Sequence, residues 1–304
     1  WTAINPQGQA GSQADRIYAY DLLHRRLSVP VRTQYGAAGF IGGYALAGNK
    51  LAYVDTGLTQ GGLLSWRVAI VDLDTRDVQT IAGSPPGGGS HIAPQIAYDG
   101  AHLLILQTLD LGALGHESVA TLFTPAQHRQ QVLERARGLV FDDPTLAHNA
   151  VLWTTINFSP HASSHLTLYM MTRHMLHTLA VGNVSQLAAS GDLVVWKSGM
   201  SGVNGHIGLY SVQSNRVLVA DVAHSNRAVY PATDGRLVAW TYDDGSRVQI
   251  YSLGSSRVIY SAPIVRNRFY GLTAMSDHSV AWAYTIIQTD AHRARGYIVV
   301  HEIG

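Results

Sequence analysis

Histidine is the residue with the greatest potential for chemistry in this sequence, because the chain contains fifteen histidines and no cysteine. Imidazole binds transition metals and transfers protons near neutral pH. The closest pair, His161 and His165, is separated by Ala-Ser-Ser, a spacing that on a helix would place both rings on one face. The pair follows Ser159-Pro160, which predicts a loop, and the HExxH motif is absent. We therefore predict no metal site and no cofactor.

Nucleophilic catalysis has equally little support in the sequence. The lack of cysteine excludes a thiolate nucleophile, thiolate metal sites and disulfides. No Gly-x-Ser-x-Gly elbow is present, and the segment GGGSHIA at 87–93 lacks the lysine and helix that follow a phosphate-binding loop. We assign no catalytic residue. The sequence favours a protein without catalytic activity but leaves an enzyme open.

Composition and charge narrow the classes of partner. Hydrophobic residues make up 46% of the chain and charged residues 13%, which predicts a large packed core rather than disorder. The net charge of +1 argues against nucleic acid or an anionic membrane as the partner. No apolar run approaches the roughly 18 residues of a membrane-spanning helix.

Two repeated phrases divide the chain into units. The first is a turn followed by three apolar residues and, in most copies, an aromatic residue; it recurs at intervals of 42–52 residues and ends at Tyr53, Ile105, Trp153, Trp196, Trp240 and Trp282. The second is an alternating apolar stretch of the kind that forms β-strands, and it is marked by Tyr20, Val71, Phe123, Tyr169, Tyr210, Tyr251 and His301. Short apolar runs before the first phrase and after the second supply two more strands per unit.

Four strands in a unit of this length, with turns between them, predict an all-β protein, a β-propeller of four-stranded antiparallel blades. The whole sequence resembles the β-propeller superfamily of TolB-like and WD40-like domains, without the motifs of a specific family. Seven repeats favour seven blades, although six blades plus an N-terminal hairpin would also fit. We predict one domain over 1–304: a partial first blade at 1–43, five full blades at 44–268 and a last blade at 269–304.

The repeated tryptophans at Trp153, Trp196, Trp240 and Trp282 have a structural interpretation. We name the strands of a blade A to D from the innermost outwards, and the tryptophan then ends strand B, where it packs between adjacent blades. Burial of such a side chain contributes on the order of 3 kcal/mol to stability. A ligand site would not need the same residue in every blade.

The expected binding surface follows from the propeller topology, which brings the D–A and B–C connections to one face. We expect long, irregular B–C loops at 54–66, 107–117, 154–165, 197–206 and 284–296. Functional residues concentrate in such loops. The ligand-binding candidates on this loop-rich face are His91, Arg137, Asp142, Arg227, Arg268, Tyr270, His161, His165, His206 and Tyr242.

Two functions remain open at the level of sequence. The first is a non-enzymatic recognition or scaffold module, a monomeric domain that binds a protein or glycan at the loop-rich face. Because the chain begins at WTAINPQGQA, without a methionine or signal peptide, we expect it to be an extracytoplasmic or secreted part of a larger bacterial protein. The alternative is a polysaccharide lyase or glycosidase that holds an anionic glycan with histidines and arginines.

Overall fold

The fold is known from a computed structural model that describes residues 2–4, 14–36, 39–59, 62–84, 90, 92–111, 115–157, 163–199, 203–262, 268–276, 279–288 and 293–303. The described residues form 26 strands, each antiparallel to its hydrogen-bonded neighbours where a register is resolved, and one short 3-10 helix at Pro125–Gln127.

Five four-stranded sheets follow one another along the chain, and each joins its strands in the order A-B-C-D. Blade 1 contains β4 (Gly39–Ala47), β5 (Lys50–Leu58), β6 (Leu64–Asp72) and β7 (Val78–Gly83). Blade 2 contains β8 (Gln95–Tyr98), β9 (Leu103–Asp110), β10 (His116–Thr124) and β11 (Arg129–Arg137). Blade 3 contains β12 (Leu139–Ala147), β13 (Ala150–Asn157), β14 (Ser163–Met170) and β15 (Met175–Gly182). Blade 4 contains β16 (Val184–Ser190), β17 (Leu193–Ser198), β18 (His206–Ser211) and β19 (Arg216–Val219). Blade 5 contains β20 (Ala228–Thr233), β21 (Leu237–Tyr242), β22 (Val248–Ser252) and β23 (Arg257–Ser261).

The two ends of the chain form three-stranded sheets. Blade 6 contains β24 (Arg268–Ser276), β25 (Ser279–Gln288) and β26 (Arg293–Glu302). The N-terminal sheet contains β1 (Thr2–Ile4), β2 (Ala14–Asp21) and β3 (Arg26–Arg32).

The predicted propeller of four-stranded antiparallel blades is confirmed, with the lower of the two blade counts that the sequence allowed. Five complete blades and blade 6 make six, and the first repeat forms the hairpin β2–β3 edged by the three-residue strand β1. The preference for seven blades was wrong because the first repeat lacks an innermost strand.

The burial pattern of the strands explains why the middle phrases of each repeat are so apolar. Strand β21, which carries the LVAW phrase, is buried over its four central residues, whereas the outermost strand β23 of the same blade is mostly exposed. A middle strand is covered on both faces, so apolar residues there need not alternate with polar ones. The outer strands meet solvent and tolerate arginine and serine.

The tryptophans of strand B pack as the sequence predicted. Trp196 shares an apolar cluster with Leu168 of blade 3, and Trp240 shares one with Leu209 of blade 4. Trp282 lies in a cluster formed largely by blade 5. Each of these rings is at most 5% exposed, so the repeated residue stabilises the junction with the preceding blade rather than a ligand.

A buried carboxylate fastens the N-terminal sheet to blade 1. Asp55 on β5 is fully buried and accepts hydrogen bonds from Thr33 Oγ1 at 2.6 Å and from the Gln34 amide at 3.2 Å, just beyond β3. Arg67 on β6 forms an ion pair with the same carboxylate at 3.2 Å. These bonds hold β2–β3 beside β4, although the first repeat has no innermost strand.

The chain divides into two compact units, Trp1–Pro144 and Thr145–Gly304, with the boundary inside β12. The first unit contains the N-terminal sheet and blades 1 and 2, and the second contains blades 4 to 6 and most of blade 3. The prediction of one domain with boundaries at 43/44 and 268/269 stays a prediction.

The expectation of long, irregular B–C loops was wrong for most blades, because strands B and C continue into these segments. His165, expected in a loop, lies on β14 and pairs with Thr155 on β13. Hydroxyl pairs extend these hairpins beyond their apolar part: the Thr155 and Thr167 Oγ1 atoms lie 3.2 Å apart, and in blade 2 Thr108 Oγ1 lies 3.1 Å from Ser118 Oγ. Cross-strand hydroxyl pairs of this kind stabilise a sheet without apolar burial.

Candidate functional site

An open cleft of about 450 Å³ lies in the second unit, between the B–C loop of blade 4 and the connection from β19 to β20. The walls combine imidazole, amide, hydroxyl and carboxylate groups, from Asn204, Gly205, His206, Ala220, Asp221, His224, Ser225 and Asn226. His206 belongs to the predicted ligand-binding residues, and its Nδ1 atom lies 3.2 Å from the carbonyl oxygen of Asn204. The cleft therefore joins a B–C and a D–A connection.

Asp221 holds the second wall of the cleft in shape. Its Oδ1 atom accepts hydrogen bonds from the backbone amides of Ala223 at 3.1 Å and His224 at 3.2 Å, and a longer one from Ile207 at 3.4 Å. His224 has a left-handed backbone with φ of 47°, which is uncommon for residues other than glycine. Asn226 connects the walls by donating from Nδ2 to the Val203 carbonyl at 3.4 Å. The Asp221 carboxylate is thus a structural acceptor that presents His224 to the cleft.

Arg227 is another predicted ligand-binding residue, and it comes directly after the cleft residues in the sequence. Two carboxylates form ion pairs with it. Its Nε atom lies 2.8 Å from Asp243 Oδ1, and its Nη1 atom lies 3.1 Å from Asp244 Oδ2. The hydrogen bond with Asp243 and the charge of Asp244 raise the pKa of the Arg227 guanidinium. Because its charge is neutralised within the blade, Arg227 is poorly suited to grip an anionic ligand.

Tyr242, at the end of β21, takes part in a separate network. Its hydroxyl donates to Gln249 Oε1 at 2.8 Å, and the Arg247 guanidinium stacks on its ring with Cζ 4.9 Å from the centroid. This distance is typical of a cation–π contact. Tyr242 therefore supports the B–C turn of blade 5 through its own neighbours.

Arg137 and Asp142, the predicted residues of the first unit, are engaged in local contacts. Arg137 Nε lies 3.9 Å from Glu117 Oε1, and the neighbouring Arg135 forms a closer ion pair with the same carboxylate at 3.1 Å. Asp142 accepts a hydrogen bond from Gln95 Nε2. Exposed pairs of this kind contribute little to stability.

Among the remaining predicted residues, His165 is not part of the cleft lining, and the others have side chains outside the described part of the chain. His165 is half-buried on β14, and burial lowers the pKa of its imidazole. Arg268 and Tyr270 occupy positions on β24, and only the backbone of these two residues is described. His91 and His161 lie outside the described residues.

A recurrent feature of strand A was missed by the sequence reasoning. Asp143, Gln186 and Tyr230 each stand ten positions before the tryptophan of strand B, and each has φ between 50° and 56°. In blades 4 and 5 this residue lies in a β-bulge opposite that tryptophan. The spacing is readable in the sequence, but the left-handed backbone is not, because none of the three is glycine.

Neither a metal-binding cluster nor a membrane helix occurs in the part of the chain that the structure describes. No three side chains of histidine, aspartate or glutamate there lie close enough to hold an ion together. No helix among those residues has the length and apolar character needed to cross a membrane.

Comparison with known proteins finds similarity in fold alone. No family model matches the sequence, and no curated protein matches it. The fold is similar to the acylaminoacyl peptidase of Pyrococcus horikoshii, with a TM-score of 0.59 and 12% identity over 89% of this chain and 47% of the peptidase. This chain therefore spans about half the length of that relative.

Two further solved structures share the fold. TolB from Acinetobacter baumannii matches with a TM-score of 0.50 and 13% identity over 80% of this chain and 58% of TolB. An oligogalacturonate lyase from Vibrio parahaemolyticus matches with a TM-score of 0.53 and 9% identity over 92% of this chain and 84% of the lyase. Propellers of similar shape carry unrelated functions. The chain thus has a β-propeller fold like that of TolB, and no specific family is shown.

Proposed function

We propose that this chain is a recognition module that binds a polar ligand in the cleft between the B–C loop of blade 4 and the β19–β20 connection. One observation carries the proposal: His206, at the start of β18, and His224, in the β19–β20 connection, line the same cleft. The side chains of Ser225 and Asn226 line it as well, so hydrogen-bonding groups converge there while Asp221 maintains the backbone. A concave surface with a few placed polar groups is the usual form of a binding site.

The proposal includes a place for the module in a larger bacterial protein outside the cytoplasm. The chain accounts for about half of the acylaminoacyl peptidase that shares its fold, which supports a role as one part of a longer protein. TolB from Acinetobacter baumannii, with the same fold, supports the bacterial setting.

A polysaccharide lyase is the second candidate, favoured by the match over most of both chains with the oligogalacturonate lyase. An anionic glycan requires cationic groups that are available to it. Arg227 beside the cleft and Arg135 and Arg137 of blade 2 are paired with carboxylates, which makes this candidate the weaker one. Oligogalacturonate incubated with the protein should show no rise in the ultraviolet absorbance of an unsaturated product.

The binding proposal is tested with glycan and peptide arrays probed with the wild-type protein and the double variant His206→Ala/His224→Ala. We expect the wild type to bind at least one component and the double variant to bind it at least tenfold more weakly. His24→Ala, in an exposed turn of the N-terminal sheet, is the matched control and should bind as the wild type does. Equal binding by the double variant and the wild type would exclude this cleft as the site.

A further inference from the structure

Tyr230 is an exposed aromatic residue on an otherwise buried strand. The other five residues of β20 are buried, whereas the Tyr230 side chain is 41% exposed. The β-bulge between Val229 and Ala232 interrupts the alternation of the strand and turns this one residue out of the sheet. Packing of the blade therefore leaves a large part of this aromatic side chain open to solvent.

The backbone of Tyr230 is strained, and two neighbouring blades hold it in place. Its φ of 53° lies in the left-handed region, where a bulky side chain is disfavoured and glycine is not. Its amide donates to Gln186 Oε1 of blade 4 at 2.7 Å, and its carbonyl accepts from Thr273 Oγ1 of blade 6 at 2.8 Å. Residues kept in such a conformation by their surroundings cluster at functional sites.

Blade 4 has a corresponding bulge that contains Gln186. The left-handed backbone is therefore common to the two blades, whereas the side chain differs. Gln186 brings an amide directly beside the Tyr230 backbone. Tyr230 lies four residues after Asn226 of the cleft, so the two Cα atoms are at most about 14 Å apart. A single ligand of several sugar units is long enough to span that distance between the cleft and the phenol ring.

We infer that Tyr230 and Gln186 form a second subsite for the ligand of the cleft, and that this ligand is a neutral oligosaccharide. The inference rests on the proposed function and adds the class of ligand. The face of the Tyr230 ring suits the apolar face of a sugar ring. The cleft supplies amide, hydroxyl and imidazole groups for sugar hydroxyls, and its nearest arginine, Arg227, is paired with Asp243 and Asp244.

The test measures binding of maltotetraose, cellotetraose and chitotetraose, each beside its monosaccharide, by saturation-transfer NMR and calorimetry. We expect at least one tetrasaccharide to bind the wild type at least tenfold more tightly than its monosaccharide does. Tyr230→Ala should weaken that binding at least tenfold, and Tyr230→Phe should retain most of it. Tyr20→Ala is the matched control, because Tyr20 on β2 is similarly exposed and its backbone is not left-handed.

Thermal unfolding of Tyr230→Gly separates a binding role from a packing role. If the ring serves a ligand, glycine relieves the backbone strain and raises Tm by about 2–4 °C while binding is lost. A fall in Tm of similar size would show that Tyr230 is a packing residue and overturn the inference.

The outcomes also separate this inference from the proposed function. Saccharide binding lost in His206→Ala/His224→Ala but unchanged in Tyr230→Ala would overturn the second subsite and leave the cleft as the site. Peptide binding to the cleft without saccharide binding would overturn the ligand class alone.

Discussion

His165 and Lys197 are two basic side chains that are at least partly buried in the folded protein. Lys197 on β17 is 6% exposed, and its Nζ atom donates to the Gly199 carbonyl at 2.7 Å. Burial lowers the pKa of the Lys197 ammonium, although the charge of Asp243 opposes this effect, and burial alone lowers the pKa of His165. Desolvation penalises the protonated form of both groups.

His165 should therefore make the protein less stable as the pH falls. Its pKa in the folded state lies below the unfolded value of about 6.5, so the unfolded chain binds more protons in the window between the two. Stability is retained above about pH 6.5 and decreases as the pH falls below it. Urea unfolding of the wild type and His165→Gln from about pH 7.5 to about pH 5 should show the smaller loss in the variant. Parallel losses would contradict a lowered pKa.

At the scale of the element, a tryptophan packs closely on a glycine in blade 4. Trp196 on β17 lies opposite Gly208 on β18, and a Cβ atom on Gly208 would stand 2.5 Å from Cζ2 of the indole. Two atoms cannot approach so closely without displacement of the ring, which also packs against blade 3. The absence of a side chain at residue 208 is thus a requirement of the junction between these blades.

Gly208→Ala should destabilise the protein by about 1–3 kcal/mol, because the added methyl group overpacks the junction. Urea or thermal unfolding measures the change. Gly254→Ala, in a turn where the nearest atom to a new Cβ is 3.9 Å away, should change stability by less than about 0.5 kcal/mol. Similar effects of the two substitutions would show that the Trp196 contact is less tight than described.

At the scale of the whole molecule, histidine controls the net charge. The chain is almost neutral at pH 7, with a formal charge of +1, and it holds fifteen histidines. Histidine side chains in general gain a proton in mild acid, so a chain rich in histidine can gain much positive charge there. A low net charge promotes self-association. Acid raises the positive charge and should therefore weaken self-association.

We expect the electrophoretic mobility towards the cathode to increase several-fold between about pH 7.5 and about pH 5.5, while light scattering reports weaker self-attraction. Added salt should reduce the difference, since it screens the charges. A mobility that hardly changes over this range would show that most histidines stay neutral in the folded protein.

The sequence by itself determined the repeat, the order of the strands and the burial of the tryptophans. These follow from local patterns: apolar runs of strand length, turns between them and one large aromatic residue at a constant interval. The sequence also predicts a ligand surface at the B–C and D–A connections, and this stays a prediction. The pairing of arginines such as Arg227 depends on contacts that spacing does not reveal.

Only the tertiary structure decided which side chains meet. His206 begins β18 and His224 lies in the β19–β20 connection, so the fold of the chain brings them to one cleft. Gln186 and Tyr230 belong to different blades, so their contact depends on how successive blades pack. The lower blade count was decided in the same way, because the bonds of Asp55 fix the N-terminal hairpin against blade 1. Local patterns specify a strand, whereas bulges, left-handed residues and paired charges arise from contacts between residues distant in the chain.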